Sequence, residues 1–161
     1  MALSAEVPHF LQKNEGVYRT GAHAVKVAVS GVGPQRARRA TQQMCTGSLG
    51  FHPELLLHLG FCGALRDDLD IGQLVVAGRL CFRNQEITPA PAAIAGLTDL
   101  LAGTHYRIGK LQTFNWPVLS RSRVSGDSLA ADMESFAVAR TAAKYRIPVL
   151  IIKAVSDRVP Q

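Results

Sequence analysis

The stretch Ile147-Pro148-Val149-Leu150-Ile151-Ile152 constrains the chain more than any other. It is apolar throughout and mostly β-branched, so it reads as a strand covered on both faces. It falls far short of the ~20 residues a spanning helix needs. The wider apolar run, Ile147 to Val155, also contains Lys153. Just before it, alanine-rich Asp132 to Arg146 predicts a helix, with Asp132 placed to cap it or to favour its N-terminal dipole. A doubly covered strand after such a helix points to an α/β sandwich around a central sheet.

The same alternation runs through the earlier sequence. Ala24 to Val29 alternates like a half-buried strand and enters Ser30-Gly31-Val32-Gly33-Pro34, a turn suited to start a helix from Gln35 to about Leu49. Its arginines, Arg36, Arg38 and Arg39, fall on the wet side. Leu55 to Leu59 predicts a buried strand broken by Gly60-Phe61-Cys62-Gly63-Ala64, and Leu74 to Ala77 a further short strand. Pro89 and Pro91 precede a helix over 92–101, Arg107 to Phe114 reads as a strand, and Trp116-Pro117 and Ser125-Gly126-Asp127 mark irregular chain. No repeat or linker divides residues 1–161, which are expected to form one domain.

Composition narrows the function classes. At 47% hydrophobic, 161 residues suit a folded domain and exclude intrinsic disorder. The net charge of +6, from 18 Lys+Arg against 12 Asp+Glu, is not gathered into a stripe with stacking aromatics. Nucleic acid is therefore not the expected partner; small anions are the other possibility. Three cysteines without Cys-x-x-Cys spacing imply a reducing compartment, and the N-terminus carries no secretory pattern, so a cytoplasmic location is expected, away from membranes. The histidines lack metal-ligand spacing, so no metal is expected. Cys62 reads as a small buried residue in a tight turn rather than a nucleophile, and Trp116 and Phe114 as core aromatics rather than a stacking platform.

Ligands of α/β sheets gather where strands end and loops begin. Ser30 to Gly33, Gly60 to Leu65 and Ala154 to Asp157 meet that description. Asp157 follows the apolar strand at the lip of the sheet, where burial favours the protonated carboxyl; capping a following turn is the plainer role. Glu134 lies one turn into the predicted helix, where dipole stabilisation and ligand binding are both open.

The segments Ala131-Asp132-Met133-Glu134-Ser135-Phe136 and Ile151-Ile152-Lys153-Ala154-Val155-Ser156-Asp157 resemble the purine nucleoside and uridine phosphorylase superfamily. In character they are nearest to the methylthioadenosine/S-adenosylhomocysteine nucleosidases and the hopanoid-associated phosphorylases. Ser30-Gly31-Val32-Gly33, Gly60-Phe61-Cys62-Gly63-Ala64-Leu65 and Asp70-Ile71-Gly72-Gln73-Leu74-Val75-Val76 follow the family order, and residues 80–125 align loosely. The resemblance implies a three-layer α/β/α sandwich with a central mixed β-sheet and cleavage of a purine-type N-glycosidic bond. It implies Asp157 as acid to N7 of the base, Ser156 orienting that carboxyl, Glu134 accepting from the ribose hydroxyls and Met133 packing on the sugar. Phe61 and Gly63 would lie in the substrate pocket, and Glu6 would position an attacking water.

The same resemblance frames the nucleophile. Phosphorylases need an anion site, for which Gly31, Gly33 and Arg36 are the candidates, with inorganic phosphate as co-substrate and no other cofactor. Many members place Ser or Thr where this chain has Phe61, and one phosphorylase branch places Arg where it has His58. Phe61 removes a phosphate hydrogen bond and adds bulk, which favours water. Lys153 replaces an arginine common in the nucleosidases, the segment from Leu119 to Ala130 is short, and most of the family's first strand and C-terminal helix is missing, as in a chain shortened at both ends. The expectation is a nucleosidase or phosphorylase that forms a homodimer or larger homo-oligomer. The alternative is a catalytically impaired nucleoside- or purine-binding protein of the same fold.

Overall fold

A computed structural model of the chain describes residues 17–20, 23–47, 50, 52–124 and 126–160. Strands β1 (Val17–Thr20) and β2 (His23–Lys26) form an antiparallel hairpin. Helix α1 (Pro34–Cys45) follows, then β3 (Leu56–Ala64), β4 (Leu74–Phe82), β5 (Gln85–Ile87) and α2 (Pro91–Leu100). Next come β6 (Tyr106–Thr113), a 3₁₀ turn (Arg121–Arg123), β7 (Ser128–Asp132), α3 (Ser135–Lys144) and β8 (Val149–Arg158).

The main sheet is mixed, in the order β5-β4-β6-β7-β3-β8, and curls until β4 also pairs with β8. β3 and β8 run parallel from Leu56↔Val149 to Ala64↔Arg158, whereas β3 and β7 are antiparallel at Gly63↔Ala131. Leu74↔Ala154 begins the antiparallel ladder that closes the ring. Helices cover both faces. On one, α1 and α3 bury Ala37, Cys45, Phe136, Val138 and Ala142 against Leu56, Val75, Leu111 and Ile151. On the other, Leu97 of α2 packs with Val76, Leu150 and Ile152. This is the expected α/β sandwich around a central mixed sheet.

The helices obey local rules. In α1 the buried residues Ala37, Thr41 and Cys45 recur every fourth position, while Arg36, Arg38 and Arg39 are exposed, as expected. The helix stops at Cys45 rather than Leu49 because Gly47, at φ +69°, turns the chain left-handed. In α3 the last turn closes through Tyr145, and Arg146 adopts φ +57° before the chain enters β8.

Three of the departures from the sequence reading build the site. β3 does not break at Gly60; it continues to Ala64 because β8 pairs with it along its whole length. Asp132 is the last residue of a buried strand rather than the first of a helix. Its pairing with Thr113 holds it in the sheet, and α3 starts only at Ser135. β8 runs on to Arg158, so Lys153 and Asp157 are strand residues. Ala24–Val29 is a strand only as far as Lys26, whose ladder partner is Val17.

Candidate active site

The β3–β8 register sets the geometry. Gly60 faces Lys153 across the parallel ladder, and a Cβ on Gly60 would stand 2.9 Å from Lys153 Nζ. The missing side chain leaves a channel for the lysine, which is 2% exposed. Further along, the register slips between Cys62 and Gly63, so that Cys62 faces Val155 but Gly63 faces Asp157. Ser156 is the additional residue of this bulge, a feature that re-aims side chains. Asp157 thereby lies over Gly63, whose absent Cβ would be 3.3 Å from its Oδ2.

Lys153 Nζ lies 3.1 Å from Asp132 Oδ2 and 3.7 Å from Glu134 Oε2. Asp132 is fully enclosed and accepts from Thr113 Oγ1 at 2.7 Å, from the Ser135 amide at 2.9 Å and from the Ser135 hydroxyl. Burial pushes the Asp132 carboxyl up, but Lys153 and the Ser135 hydrogen bonds outweigh it and hold the group below the usual carboxylate range. Glu134 accepts from the Gly33 amide at 2.8 Å through its other oxygen, Oε1. Gly33, at φ +94°, is the residue on which α1 starts, so the carboxylate sits at the positive end of that helix. Burial raises the Glu134 carboxyl, and the Gly33 N–H and Lys153 offset this only in part.

At the far end of β8, Ser156 Oγ lies 2.6 Å from Asp157 Oδ1 and 3.2 Å from the Cys62 carbonyl. Asp157 itself is exposed, next to the end of β8, and is not drawn into a dry lip.

These residues share one hollow of about 220 Å³, lined among others by Val32, Phe61, Gly63, Met133, Glu134, Ser156 and Asp157. The structure thus brings the predicted pocket residues together, with the Gly31–Gly33 turn at its edge through Val32. Arg36 bends back over that turn, its Cδ 3.1 Å from where a Gly31 Cβ would stand. Glu6 lies outside the described residues. The hollow also takes in Trp116, 79% exposed, which corrects its reading as a core aromatic: the loop after β6 carries the indole over the rim. Phe114 does pack inside, with Leu65, Ala131 and Val159. Cys62 is buried, and burial followed by Asp132 pushes its thiol up to about 12, so it stays protonated.

Sequence reasoning overlooked Asp132, Lys153 and Gly60 as one unit; an acidic residue beside Met-Glu and a lysine inside an apolar strand were the available signals. A larger hollow, about 460 Å³, lies beyond the end of β3, lined by Arg66, Asp67, Asp68 and Arg121 among others. Its charges pair with one another, as in Arg66–Asp68 and Arg121–Asp67, and none of the predicted site residues lines it. Among the described residues no cluster of three His, Cys, Asp or Glu could hold a metal, and no helix is long and apolar enough to cross a membrane.

The family is decided by a sequence model described as the phosphorylase superfamily, which matches residues 2–93. The chain belongs to that superfamily. A 5'-methylthioadenosine/S-adenosylhomocysteine nucleosidase of Staphylococcus saprophyticus is 26% identical over 135 residues, 66% of this chain and 58% of the relative. The chain therefore spans less than two thirds of that relative's length. The crystal structure of S-adenosylhomocysteine nucleosidase from Streptococcus pyogenes, in complex with 5-methylthiotubericidin, superposes with a TM-score of 0.80 at 21% identity. It covers 89% of this chain and 70% of that one. Futalosine hydrolase of Helicobacter pylori gives 0.78 at 20% identity, covering 85% and 68%. These superpositions place the superfamily chain in the nucleosidase fold.

Two stability measurements check the buried cluster. Lys153→Met strands the Asp132 carboxylate and is expected to cost about 3–5 kcal/mol in urea unfolding at pH 7. An unchanged midpoint would show that the pair contributes nothing. His58, on the Lys153 side of β3, has its Nδ1 shut from solvent without a partner, and burial, then Lys153, push its imidazole down to about 3. The unfolded chain takes up that proton near pH 6.5 and the fold does not, so stability falls as pH drops from about 6.5 towards about 3. Unfolding series at pH 7 and 4.5 should show this loss, and His58→Asn should flatten it; equal slopes in both proteins would refute the assignment.

Proposed function

We propose that the chain cleaves the N-glycosidic bond of a purine-type nucleoside, with water favoured over phosphate as nucleophile. The observation that carries this reading is the joint presence of Glu134 and Asp157 in one hollow, each fixed by a separate device. Asp157 donates a proton to N7 of the base as the electrons of the breaking C1′–N9 bond flow into the ring system. Glu134 accepts hydrogen bonds from the ribose hydroxyls, and Met133 packs on the sugar as it gains oxocarbenium character. Water adds at C1′ and its surplus proton leaves to solvent, with Glu6 the candidate to orient it. The base is held between Phe61 and the exposed indole of Trp116.

Two features support water. Phe61 stands where the resemblance puts a hydroxyl that would hold phosphate, and the Gly33 N–H is already given to Glu134. Phosphate would be left with Gly31 and Arg36. No cofactor is required, because the leaving group needs only a proton. The single domain is read as cytoplasmic, in keeping with three free, buried cysteines. It is also read as self-associating, because Leu57, Leu59 and Leu119 expose 53%, 62% and 82% of their surface. A stable monomer in light scattering would overturn the oligomer. A second reading, a nucleoside- or purine-binding protein without turnover, is favoured by the exposure of Asp157.

Purified protein incubated with adenosine, inosine, methylthioadenosine, S-adenosylhomocysteine and uridine, with and without phosphate, separates these readings by chromatography of free base. Release without phosphate is the expected outcome, and release only with phosphate would make the chain a phosphorylase. Asp157→Asn should lose about 10²–10⁴-fold in turnover while keeping affinity. Silence across the panel from folded protein would establish the binder instead.

A further inference from the structure

We infer that Arg121 is a positioning residue for Asp157, acting through the backbone that follows it. The inference rests on the reading of Asp157 as the acid. Asp157 stands next to the end of β8, where strands fray, and its exposed carboxyl has a single side-chain partner, Ser156, itself the bulge residue. Nothing in the carboxyl's own contacts fixes the strand end; the next three residues do.

Arg121 reaches that end from the 3₁₀ turn. Its Nε donates to the Val159 carbonyl at 2.7 Å, its amide donates to the Pro160 carbonyl at 2.9 Å, and its Nη1 lies 2.7 Å from Asp67 Oδ1. The side chain is only 18% exposed. The opposite flank is held as well. The Val159 amide donates to the Ala64 carbonyl at 2.9 Å, and Arg158 Nε donates to the Leu69 carbonyl at 3.2 Å. Val159 is 3% exposed, and its Cγ2 stands 2.9 Å from where a Gly63 Cβ would be, beside the carboxyl of Asp157. The strand end that carries the acid is thus gripped between the Arg121 turn and the end of β3.

The guanidinium suits this task because it bonds a carbonyl and a carboxylate at once through fixed, divergent N–H groups. A lysine has one point charge and serves only one of the two well. A displacement of about 1 Å at a reacting group can cost roughly 10²-fold in rate. A largely covered arginine tied to the backbone after the acid is therefore a device for rate rather than for affinity.

The test is Arg121→Ala in the same chain, assayed on whichever nucleoside the wild type cleaves. A drop in kcat of about 10–100-fold with KM within about threefold is expected, with Arg121→Lys between the two. In an Asp157→Asn background, Arg121→Ala should cause no further loss. Hydrogen exchange at the Val159 amide, bonded to Ala64, should quicken about tenfold in Arg121→Ala and is read without substrate. Unchanged kcat, an equal loss in the Asp157→Asn background, or unchanged exchange at Val159 would each overturn the inference. A wild type that releases no base refutes the acid reading of Asp157, and the role of Arg121 towards that acid falls with it. The Val159 exchange then reports on the grip alone.

Discussion

The ion pair between Lys153 and Asp132 is the interaction on which the rest of the site depends. Removing two charges from water costs several kcal/mol per ion, and their attraction repays this only when the remaining donors and acceptors are satisfied. Asp132 meets that condition through Thr113 and Ser135, at the junction where β7 gives way to α3. Lys153 meets it only because Gly60 vacates the space across the ladder. Four elements, β3, β6, β7 and β8, must therefore be in register before the pair can form. Glu134, two residues beyond Asp132, inherits its place from that junction and takes the outer side of the same ammonium group.

The two glycines of β3 and the two charged residues of β8 are related by an uneven count. Gly60 and Gly63 are three apart, whereas Lys153 and Asp157 are four apart, and the bulge at Ser156 reconciles them. Ser156 also has one hydroxyl proton and two acceptors in reach, Asp157 Oδ1 and the Cys62 carbonyl. The hydroxyl thereby stands between the Asp157 carboxyl and the backbone of β3.

How much of this was legible in sequence follows from the range of the interactions involved. The layered α/β architecture was legible, because apolar runs and helical periods are local signals. So were the residues that gather in the pocket, through the Met-Glu and Ser-Asp wording of the resemblance. The continuation of β3 through Gly60 was not: glycine reads as a breaker unless the lysine that replaces its side chain is known, and that lysine lies 93 residues further on. Asp132 read as a helix cap, and its carboxylate does bind the Ser135 amide, but from a strand whose pairing with Thr113 no local pattern announces. Trp116 was misread as a core aromatic, and Arg121 was not singled out. The indole faces solvent over the pocket, whereas the arginine is largely covered, because loop conformation and not composition decides both.

On the proposed reading, water is favoured over phosphate through competition for one amide. A glycine turn before a helix offers its N–H groups and the helix dipole to any nearby anion. In this chain the anion that answers is internal: the Glu134 carboxylate takes the Gly33 N–H at 2.8 Å. A phosphate entering there would meet a carboxylate already bonded to that N–H, and the ring of Phe61. Displacing Glu134 would free the amide but would take one of its two carboxylates from the buried Lys153. On the proposed reading, the buried pair that fixes Glu134 thus bears on the choice of nucleophile as well, and a neutral water molecule needs no such vacancy.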